Sequence, residues 1–345
     1  MVSRVGERGR RPWYRRRAVI AWASVIVVLG VLTVFSFVSP WPSALLIRTV
    51  FEVNAHQTVQ TMEKYAPTGG LRERMNVPYA PGGSSDTTFD LFAPEGAVQP
   101  RTTVVWIHGG AWISGDKSNV DPYVRIIASH GYTGISLNYT VAPEAQYPTA
   151  LKQLNSALGY ILEHAAELGV DPSHIVLAGD SAGAQYAAQL AVMATNESYT
   201  QRLGIRPALT KDHLAAVVLD CGIYDVRGIP KAPGIGGWGF RTALWAYLGT
   251  KDWSHTPGGE AMTTVDHVTK DFPRTWISGG NADPLTAGQS KPMAAKLKGL
   301  GVQVTSVFYP ENETPPLQHE YQFHLNLAAA RSALNSTLQF LGTVG

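Results

Sequence analysis

A serine placed between two glycines, directly after an apolar run, is the feature that most constrains the fold of this chain. The segment Gly179-Asp180-Ser181-Ala182-Gly183 follows Ile175-Val176-Leu177 and precedes residues 182–195, which favour a helix. Small residues are needed where a strand turns at once into a helix, because the two elements approach closely there. Such a turn strains the backbone and projects the Ser181 side chain from the end of the sheet, at the positive end of the helix dipole. The sequence therefore predicts an exposed nucleophile; the alternative is a glycine-rich turn with an incidental N-cap serine.

Short apolar runs alternate with helical patterns along most of the chain. Strands are predicted at 102–108, 132–139, 174–179, 214–222, 274–280 and 302–309, and helices at 122–131, 148–169, 182–195, 287–299 and 323–341. This alternation predicts an α/β fold with a mainly parallel central sheet and helices on both faces. A chain of 345 residues that is 45% hydrophobic and 16% charged can fill the core that such a fold requires.

The N-terminal part has a different composition. Residues 1–17 hold seven arginines and one acidic residue, whereas residues 18–38 contain no charge. As a helix, the uncharged run would span roughly 31 Å, about one bilayer core. We predict a basic cytoplasmic tail, a single transmembrane helix at 18–38 and an extracytoplasmic body. The alternatives are a cleaved signal peptide, which usually has a shorter apolar run and a clearer cleavage site, and a buried soluble helix.

Charge and domain boundaries follow from the same division. Residues 1–17 carry a net charge of +6. Because the whole chain carries +2, the remaining residues carry −4. A basic tail on a mildly acidic body does not indicate a nucleic-acid-binding protein. Residues 39–76 are predicted to form a linker or lid helix, and residues 77–345 one catalytic domain. The segment 225–253, rich in glycine, proline and tryptophan, is predicted to be a lid insertion. Trp245 and Leu248 within it would then line the acyl pocket; the alternative is that they pack on the core.

A second glycine-containing motif follows the predicted strand 102–108. Residues 108–112 read His-Gly-Gly-Ala-Trp, and adjacent glycines allow a substrate to approach the backbone closely. Acyl transfer needs backbone N–H donors aimed at the oxyanion. We expect Gly109 and Gly110 to supply two of these donors and Ala182, the residue after the serine, to supply the third. Trp112 is expected to pack under the loop or to line the acyl pocket.

An acid and a base are sought after the serine in the chain. Asp283 lies in a turn after the predicted strand 274–280 and could orient an imidazole; the alternative is an ordinary Asp-Pro turn. Of two histidines after the last strand, His319 is predicted in a loop and His324 in the final helix, so His319 is the expected base. His108 is expected to hold its loop by hydrogen bonds. Together these residues predict general-base activation of the serine and an acyl-enzyme.

These motifs resemble the α/β-hydrolase fold, and within it carboxylesterases of the hormone-sensitive-lipase-like and acetylesterase-like group. "HGGAW", "NYTVAPEAQYP", "GDSAGA" and "DPL" occur in the order and spacing of that group. The resemblance implies a triad of Ser181, Asp283 and His319, oxyanion donors at Gly109 and Gly110, and hydrolysis of short-to-medium acyl esters. It implies no cofactor and no metal.

Two departures from the family pattern and two alternative functions remain open. The family histidine is often followed by Gly-Phe, whereas Glu320 and Tyr321 follow His319 here. Ala111 stands where the family often has a third glycine. The motif HGG followed by any residue and Trp also resembles kynurenine formamidases, so an amidase or formamidase is an alternative, as is a non-catalytic binding protein. The expected partner is a small-molecule or lipid ester, and the predicted anchor favours a lipid or cell-envelope ester as the natural substrate. The single cysteine, Cys221, is expected to be a buried core residue.

Overall fold

The computed structural model describes residues 13–96, 99–229 and 234–344, so most of the predicted basic tail lies outside the described residues. The chain folds around one eight-stranded sheet. Its strands are β1 (Leu71–Pro78), β2 (Thr88–Pro94), β3 (Arg101–Ile107), β4 (Thr133–Leu137), β5 (Val170–Asp180), β6 (Leu214–Asp220), β7 (Thr275–Gly279) and β8 (Val304–Phe308). The helices are α1 (Trp13–Val38), α2 (Trp41–Met62), α3 (Asp121–Ser129), α4 (Thr149–Glu163), α5 (Ala165–Leu168), α6 (Ala182–Thr195), α7 (Glu197–Leu203), α8 (Gly234–Leu248), α9 (Pro257–Met262), α10 (Lys291–Gly299) and α11 (Ala328–Leu341).

The strand order is β1-β2-β4-β3-β5-β6-β7-β8. Strands β1 and β2 pair antiparallel, as do β2 and β4, and every other neighbouring pair is parallel. The predicted mainly parallel sheet is therefore confirmed. Its first two strands were not among the predicted ones, and the sheet begins at Leu71 rather than at the predicted domain boundary of 77. An antiparallel edge strand such as β1, half-exposed along most of its length, lacks the continuous apolar run that marks a buried parallel strand.

Alternate residues of the central strands face two separate cores. Val104 and Trp106 of β3 pack with helices α3 and α11 on one side of the sheet. Val105 and Ile107 of the same strand pack with α4 and α6 on the other side. Because side chains alternate along a strand, a strand buried on both faces is apolar throughout, which is what the sequence pattern of β3 shows.

Three helix boundaries differ from the predicted ones. The helix expected over 148–169 is interrupted at His164, whose backbone leaves the helical region and caps α4 before the short α5 begins. The helix expected from 287 begins with one wide turn, Thr286–Ser290, before α10. The final helix begins at Ala328 rather than 323, because residues Tyr321–Phe323 form a separate turn. His324 is therefore in a loop and not in the final helix.

Helix α1 lies outside both cores. Residues Arg17–Val38 have a mean hydropathy of 2.6, and none of this stretch is buried within the protein. The helix is long and apolar enough to cross a membrane by length and composition, a test that a signal sequence near the N-terminus also passes. Only two residues, Ser39 and Pro40, separate α1 from α2.

Helix α2 is fixed to the body near both of its ends. Ala44 and Ile47 near its start and Met62 at its end are buried. Between them, the Arg48 guanidinium donates to the carbonyl of Ile113 (2.6 Å) and to both carboxylate oxygens of Glu144 (2.6 and 2.8 Å). The middle of the helix has no such contacts and is mostly exposed. Helix α2 therefore bridges the surface between two attachment points.

The predicted lid at 225–253 contributes mainly to the core. Residues 230–233 lie outside the described residues, and α8 occupies much of the remainder. One face of α8 is fully buried in the first core, through Ala243, Leu244, Ala246 and Tyr247. This packing explains Leu244 and Tyr247, whereas Trp238 of the same helix is exposed.

Candidate active site

Ser181 lies at the tip of the turn between β5 and α6, with φ 51° and ψ −116°. This conformation is rare for a residue other than glycine and places strain at the nucleophile position. The flanking glycines are required by space. A Cβ on Gly179 would lie 2.5 Å from the carbonyl carbon of Gly183, and a Cβ on Gly183 would collide with the carbonyl of Ile107. The expectation that β5 and α6 approach too closely for a side chain is confirmed at Gly179, whereas at Gly183 the end of β3 limits the space.

The structure brings Asp283 and His319 to this serine. Nε2 of His319 lies 2.9 Å from Ser181 Oγ, and Nδ1 lies 3.0 Å from Asp283 Oδ2. The other oxygen of Asp283 accepts from the backbone N–H of Leu285 at 2.9 Å, which fixes the carboxylate. An ionised carboxylate can only accept, so the neutral ring carries its proton on Nδ1 and leaves Nε2 free to accept the serine proton.

The charges around His319 favour the protonated ring. Burial opposes the imidazolium, but the nearby charge of Asp283 and its hydrogen bond to the ring outweigh that effect, and the charges of Glu320 and Asp180 add to it. The result is to raise the pKa of His319 to about 9. Because the base must be neutral to take a proton from Ser181, its working form is favoured at alkaline pH.

The hydrogen-bond partners of the backbone N–H groups near Ser181 change the expected set of oxyanion donors. The N–H of Gly109 donates to Asp180 Oδ2 at 2.8 Å, so it is not available to an oxyanion. Within the described residues, the N–H groups of Gly110, Ala111 and Ala182 have no such partner. Ala111 adopts a φ of 52°, which turns this loop back on itself. The assignment of Gly109 is therefore corrected: it anchors the loop, and Ala111, two residues further on, has a free N–H instead.

His108 holds the same loop, as expected. Its Nδ1 lies 2.8 Å from the carbonyl of Gly109, and its ring stacks on Tyr139 with centroids 4.3 Å apart. The hydroxyl of Tyr139 donates to the carbonyl of His108 at 2.9 Å. Burial lowers the pKa of His108 to about 4, so this ring is neutral at physiological pH and adds no charge to the site.

A cavity of about 570 Å³ opens over Ser181. Its inner wall is formed by the loops that carry the residues described above. Its outer wall comes largely from α2, with a contribution from α8 and from the loop after His319. The residues that these three outer parts contribute are Phe51, Asn54, Ala55, Gln57, Thr58, Thr61, Phe240, Glu320, Phe323, His324 and Asn326.

The structure does not bring the three predicted substrate-binding residues to this cavity. Trp112 is fully buried beneath the loop, where its ring stacks on Tyr247 at a centroid distance of 5.9 Å. Trp245 is half-buried and has the ammonium of Lys251 4.2 Å above its ring. Leu248 packs at the edge of the first core. For Trp112 this is the first of the two expected roles, packing under the loop. The expected pocket role of Trp245 and Leu248 is corrected, because helical spacing identifies an apolar face without saying what that face contacts.

Several residues that line the cavity were not identified from the sequence. The polar side chains of α2 resemble those of any exposed helix, so nothing local in the sequence assigns them to a site. Glu320 was noted only as a departure from the glycine that often follows the family histidine. Its φ of 59° shows why glycine suits the position. In the sequence, the signal that could have identified Glu320 is a charged residue directly after the predicted base, at a position where the family often has glycine.

A thiol also lies close to the Asp283–His319 pair. Cys221 is fully buried, as expected, and its Sγ, one carboxylate oxygen of Asp283 and one ring nitrogen of His319 lie within 4.8 Å of one another. This spacing alone would suit a transition metal. However, Asp283 and His319 are already hydrogen-bonded to each other, and burial raises the pKa of the thiol, which disfavours the thiolate that a metal would bind.

Comparison with known proteins identifies the family. The BD-FAE family model matches residues 89–297, more than half of the chain. The chain belongs to the BD-FAE family. It is similar to the esterase LipQ of Mycobacterium tuberculosis, with 26% identity over 273 residues, covering 78% of this chain and 62% of LipQ. It is also similar to an acetyl esterase of Salmonella paratyphi B, with 28% identity over 208 residues, covering 58% of this chain and 60% of that protein. The match thus spans about three fifths of each curated relative.

Solved structures show the same fold in esterases. Esterase B from Lactobacillus rhamnosis superposes with a TM-score of 0.75 at 20% identity, covering 88% of this chain and 95% of that one. An esterase from Pyrobaculum calidifontis gives a TM-score of 0.69 at 20% identity, covering 88% of this chain and 94% of that one. The α/β-hydrolase fold predicted from the sequence and the resemblance of this BD-FAE member to esterases are confirmed.

The two histidines of the last loop can be separated by substitution. We expect His319→Ala to lower kcat for an ester by several orders of magnitude, up to about a millionfold, because losing the base leaves Ser181 unactivated. His324→Ala should retain most of kcat, since His324 lines the cavity without a hydrogen bond to Ser181. Steady-state kinetics of both variants provide the test, and the opposite ranking would assign the base to His324.

The raised pKa of His319 predicts an alkaline activity profile. For a neutral ester, kcat/KM should increase with pH as the imidazolium loses its proton and level off above about pH 9. The charged groups close to the ring are Asp283, Glu320 and Asp180. A kcat/KM profile between pH 6 and 10, corrected for spontaneous hydrolysis with Ser181→Ala, measures this. A plateau already reached at pH 7 would contradict the prediction.

Proposed function

We propose that this BD-FAE member is a serine carboxylesterase that hydrolyses esters through an acyl-enzyme. The observation that carries the proposal is the continuous hydrogen-bonded line from Asp283 through His319 to Ser181, with heavy-atom distances of 3.0 and 2.9 Å. Both distances suit proton transfer without rearrangement. The esterases among the chain's relatives support the same reaction class.

The first half-reaction forms the acyl-enzyme. His319 takes the proton of Ser181 as Oγ attacks the ester carbonyl, and Asp283 stabilises the imidazolium that forms. The carbonyl oxygen becomes an oxyanion, and the free N–H groups of Gly110, Ala111 and Ala182 are its proposed donors. His319 then returns the proton to the leaving alcohol. In the second half-reaction, water attacks the acyl group with the same base, and Ser181 is released.

The size of the cavity supports small and medium substrates. A volume of about 570 Å³ is within the usual range for small-molecule sites and has to hold both the acyl group and the alcohol. We therefore propose short-to-medium acyl chains. Discrimination among chain lengths should be gradual, because one methylene in an apolar pocket contributes only about 1–3 kcal/mol.

A hydrolysis screen tests the activity. We expect the protein to cleave p-nitrophenyl esters of short-to-medium chain length, and we expect Ser181→Ala to abolish this cleavage. N-formylkynurenine is included because the HGGAW motif also resembles formamidases. Cleavage of N-formylkynurenine without ester cleavage would overturn the esterase proposal in favour of a formamidase, and Ser181→Ala remaining active would exclude the triad.

We further propose that α1 anchors the protein in a membrane with residues 1–17 in the cytoplasm and the catalytic body outside. The candidate span supports this through its length and its complete exposure. The site and both cores are formed by residues after α1, so removal of residues 1–40 should yield a soluble protein that keeps its ester hydrolysis. Membrane fractionation of the full-length protein is the measurement. Recovery in the soluble fraction with an intact N-terminus would contradict the anchor.

A further inference from the structure

Glu320 places a carboxylate inside the cavity beside the proposed base. Its Oε1 lies 3.7 Å from His319 Nε2. A Cβ built on Gly109 would lie 3.0 Å from the same oxygen, so Glu320 also reaches the oxyanion loop. Its side chain is 34% exposed, which leaves it accessible to a bound molecule. Within the part of the chain that the structure describes, His319 is its sole ion-pair partner.

Apart from His319, which is protonated below its pKa of about 9, the cavity is poor in positive charge. Among the described residues that line it there is no lysine or arginine, whereas Asp180 and Glu320 are both acidic. Three phenylalanines, Phe51, Phe240 and Phe323, line the same space, and aromatic faces attract cations. Asp180 is buried and both its oxygens accept hydrogen bonds from Trp106 and Gly109, so the cavity presents one accessible carboxylate, that of Glu320, together with aromatic rings, a combination that suits a positively charged group.

The position of Glu320 indicates which part of a substrate it meets. In ester hydrolysis, His319 Nε2 donates its proton to the oxygen of the leaving alcohol. A carboxylate 3.7 Å from that nitrogen therefore lies beside the alcohol portion and not at the far end of the acyl chain. The same carboxylate lies near the oxyanion loop, where an unneutralised negative charge would oppose the transition state. A cation on the alcohol would offset that repulsion.

We propose that Glu320 forms a subsite for a cationic group carried on the alcohol portion of the ester, so that esters of amino or quaternary ammonium alcohols are preferred over neutral ones. This inference rests on the proposed esterase function and names its substrate class. Glu320 is a specificity-determining residue in this scheme, whereas Ser181, His319 and Asp283 carry the chemistry.

An isosteric pair of esters isolates the charge. Choline and 3,3-dimethylbutyl esters of the same short acid have nearly the same shape. They differ in one atom, because choline has a positively charged quaternary nitrogen where 3,3-dimethylbutanol has a neutral carbon. The wild-type kcat/KM should favour the choline ester by about fivefold or more. In Glu320→Gln, which keeps the size and removes the charge, the ratio should fall close to one. Glu320→Asp should keep part of the preference. Glu163→Gln, an acid removed outside this cavity, should keep the wild-type ratio.

The pH of the measurement matters, because protonated His319 would itself neutralise Glu320. The groups facing that ring are Asp283, Asp180, Glu320 and the thiol of Cys221. Only the form with a neutral ring hydrolyses esters, so the kcat/KM ratio should not depend on this proton, whereas binding of choline to the Ser181→Ala protein should strengthen from pH 7 to above pH 9 and should show no such increase when Glu320→Gln is added. Background hydrolysis is subtracted with Ser181→Ala.

Failure of this inference is distinguishable from failure of the esterase proposal. Binding of choline and of 3,3-dimethylbutanol to the Ser181→Ala protein, followed by ligand NMR, needs no catalysis and should show the same dependence on Glu320. Equal use or equal binding of the charged and neutral partners by the wild-type protein overturns the inference. A choline preference that persists in Glu320→Gln also overturns it, because other residues would then recognise the positive charge of choline.

Discussion

The close approach of α6 to the ends of β5 and β3 is the contact on which the site depends. Gly183 of α6 lies so near the carbonyl of Ile107 in β3 that no side chain fits between them, and a Cβ on Gly179 of β5 would lie 2.5 Å from the carbonyl carbon of Gly183. This contact forces Ser181 into its strained conformation and aims the N-terminus of α6 at the space above it. The strain is tolerated because α6 is buried along nearly its whole length, so burial of the helix holds the turn in place.

Much of the fold and the triad could be predicted because the relevant signals are local. Each central strand is apolar on both faces, which marks it regardless of its neighbours. Parallel strands place their carboxyl ends at one edge of the sheet, so the segments after β5, β7 and β8 had to converge there. This topology explains how Ser181, Asp283 and His319, far apart in sequence, could be assigned to one site before any distance was known.

The parts that could not be predicted depend on contacts between distant segments. The N–H of Gly109 is a free donor by its sequence, and only the position of Asp180 removes it from the oxyanion site. Helical spacing in α8 gave a correct apolar face, but its partner is the core rather than the cavity. Likewise, nothing in the sequence around Thr58 of α2 indicates that this residue lines the same cavity as Ser181. Such assignments require knowing where an element packs.

The limits of the family match indicate which part of the cavity determines substrate specificity. The family match covers residues 89–297, which include the proposed nucleophile, the proposed acid and the proposed oxyanion loop. The base, Glu320 and the whole of α2 lie outside that match, and they form much of the outer wall of the cavity. Helix α2 follows α1 after two residues, so the wall that shapes the cavity is linked directly to the proposed anchor. The class of reaction can therefore be inferred largely from residues inside the family match, whereas the choice of substrate has to be argued from residues outside it.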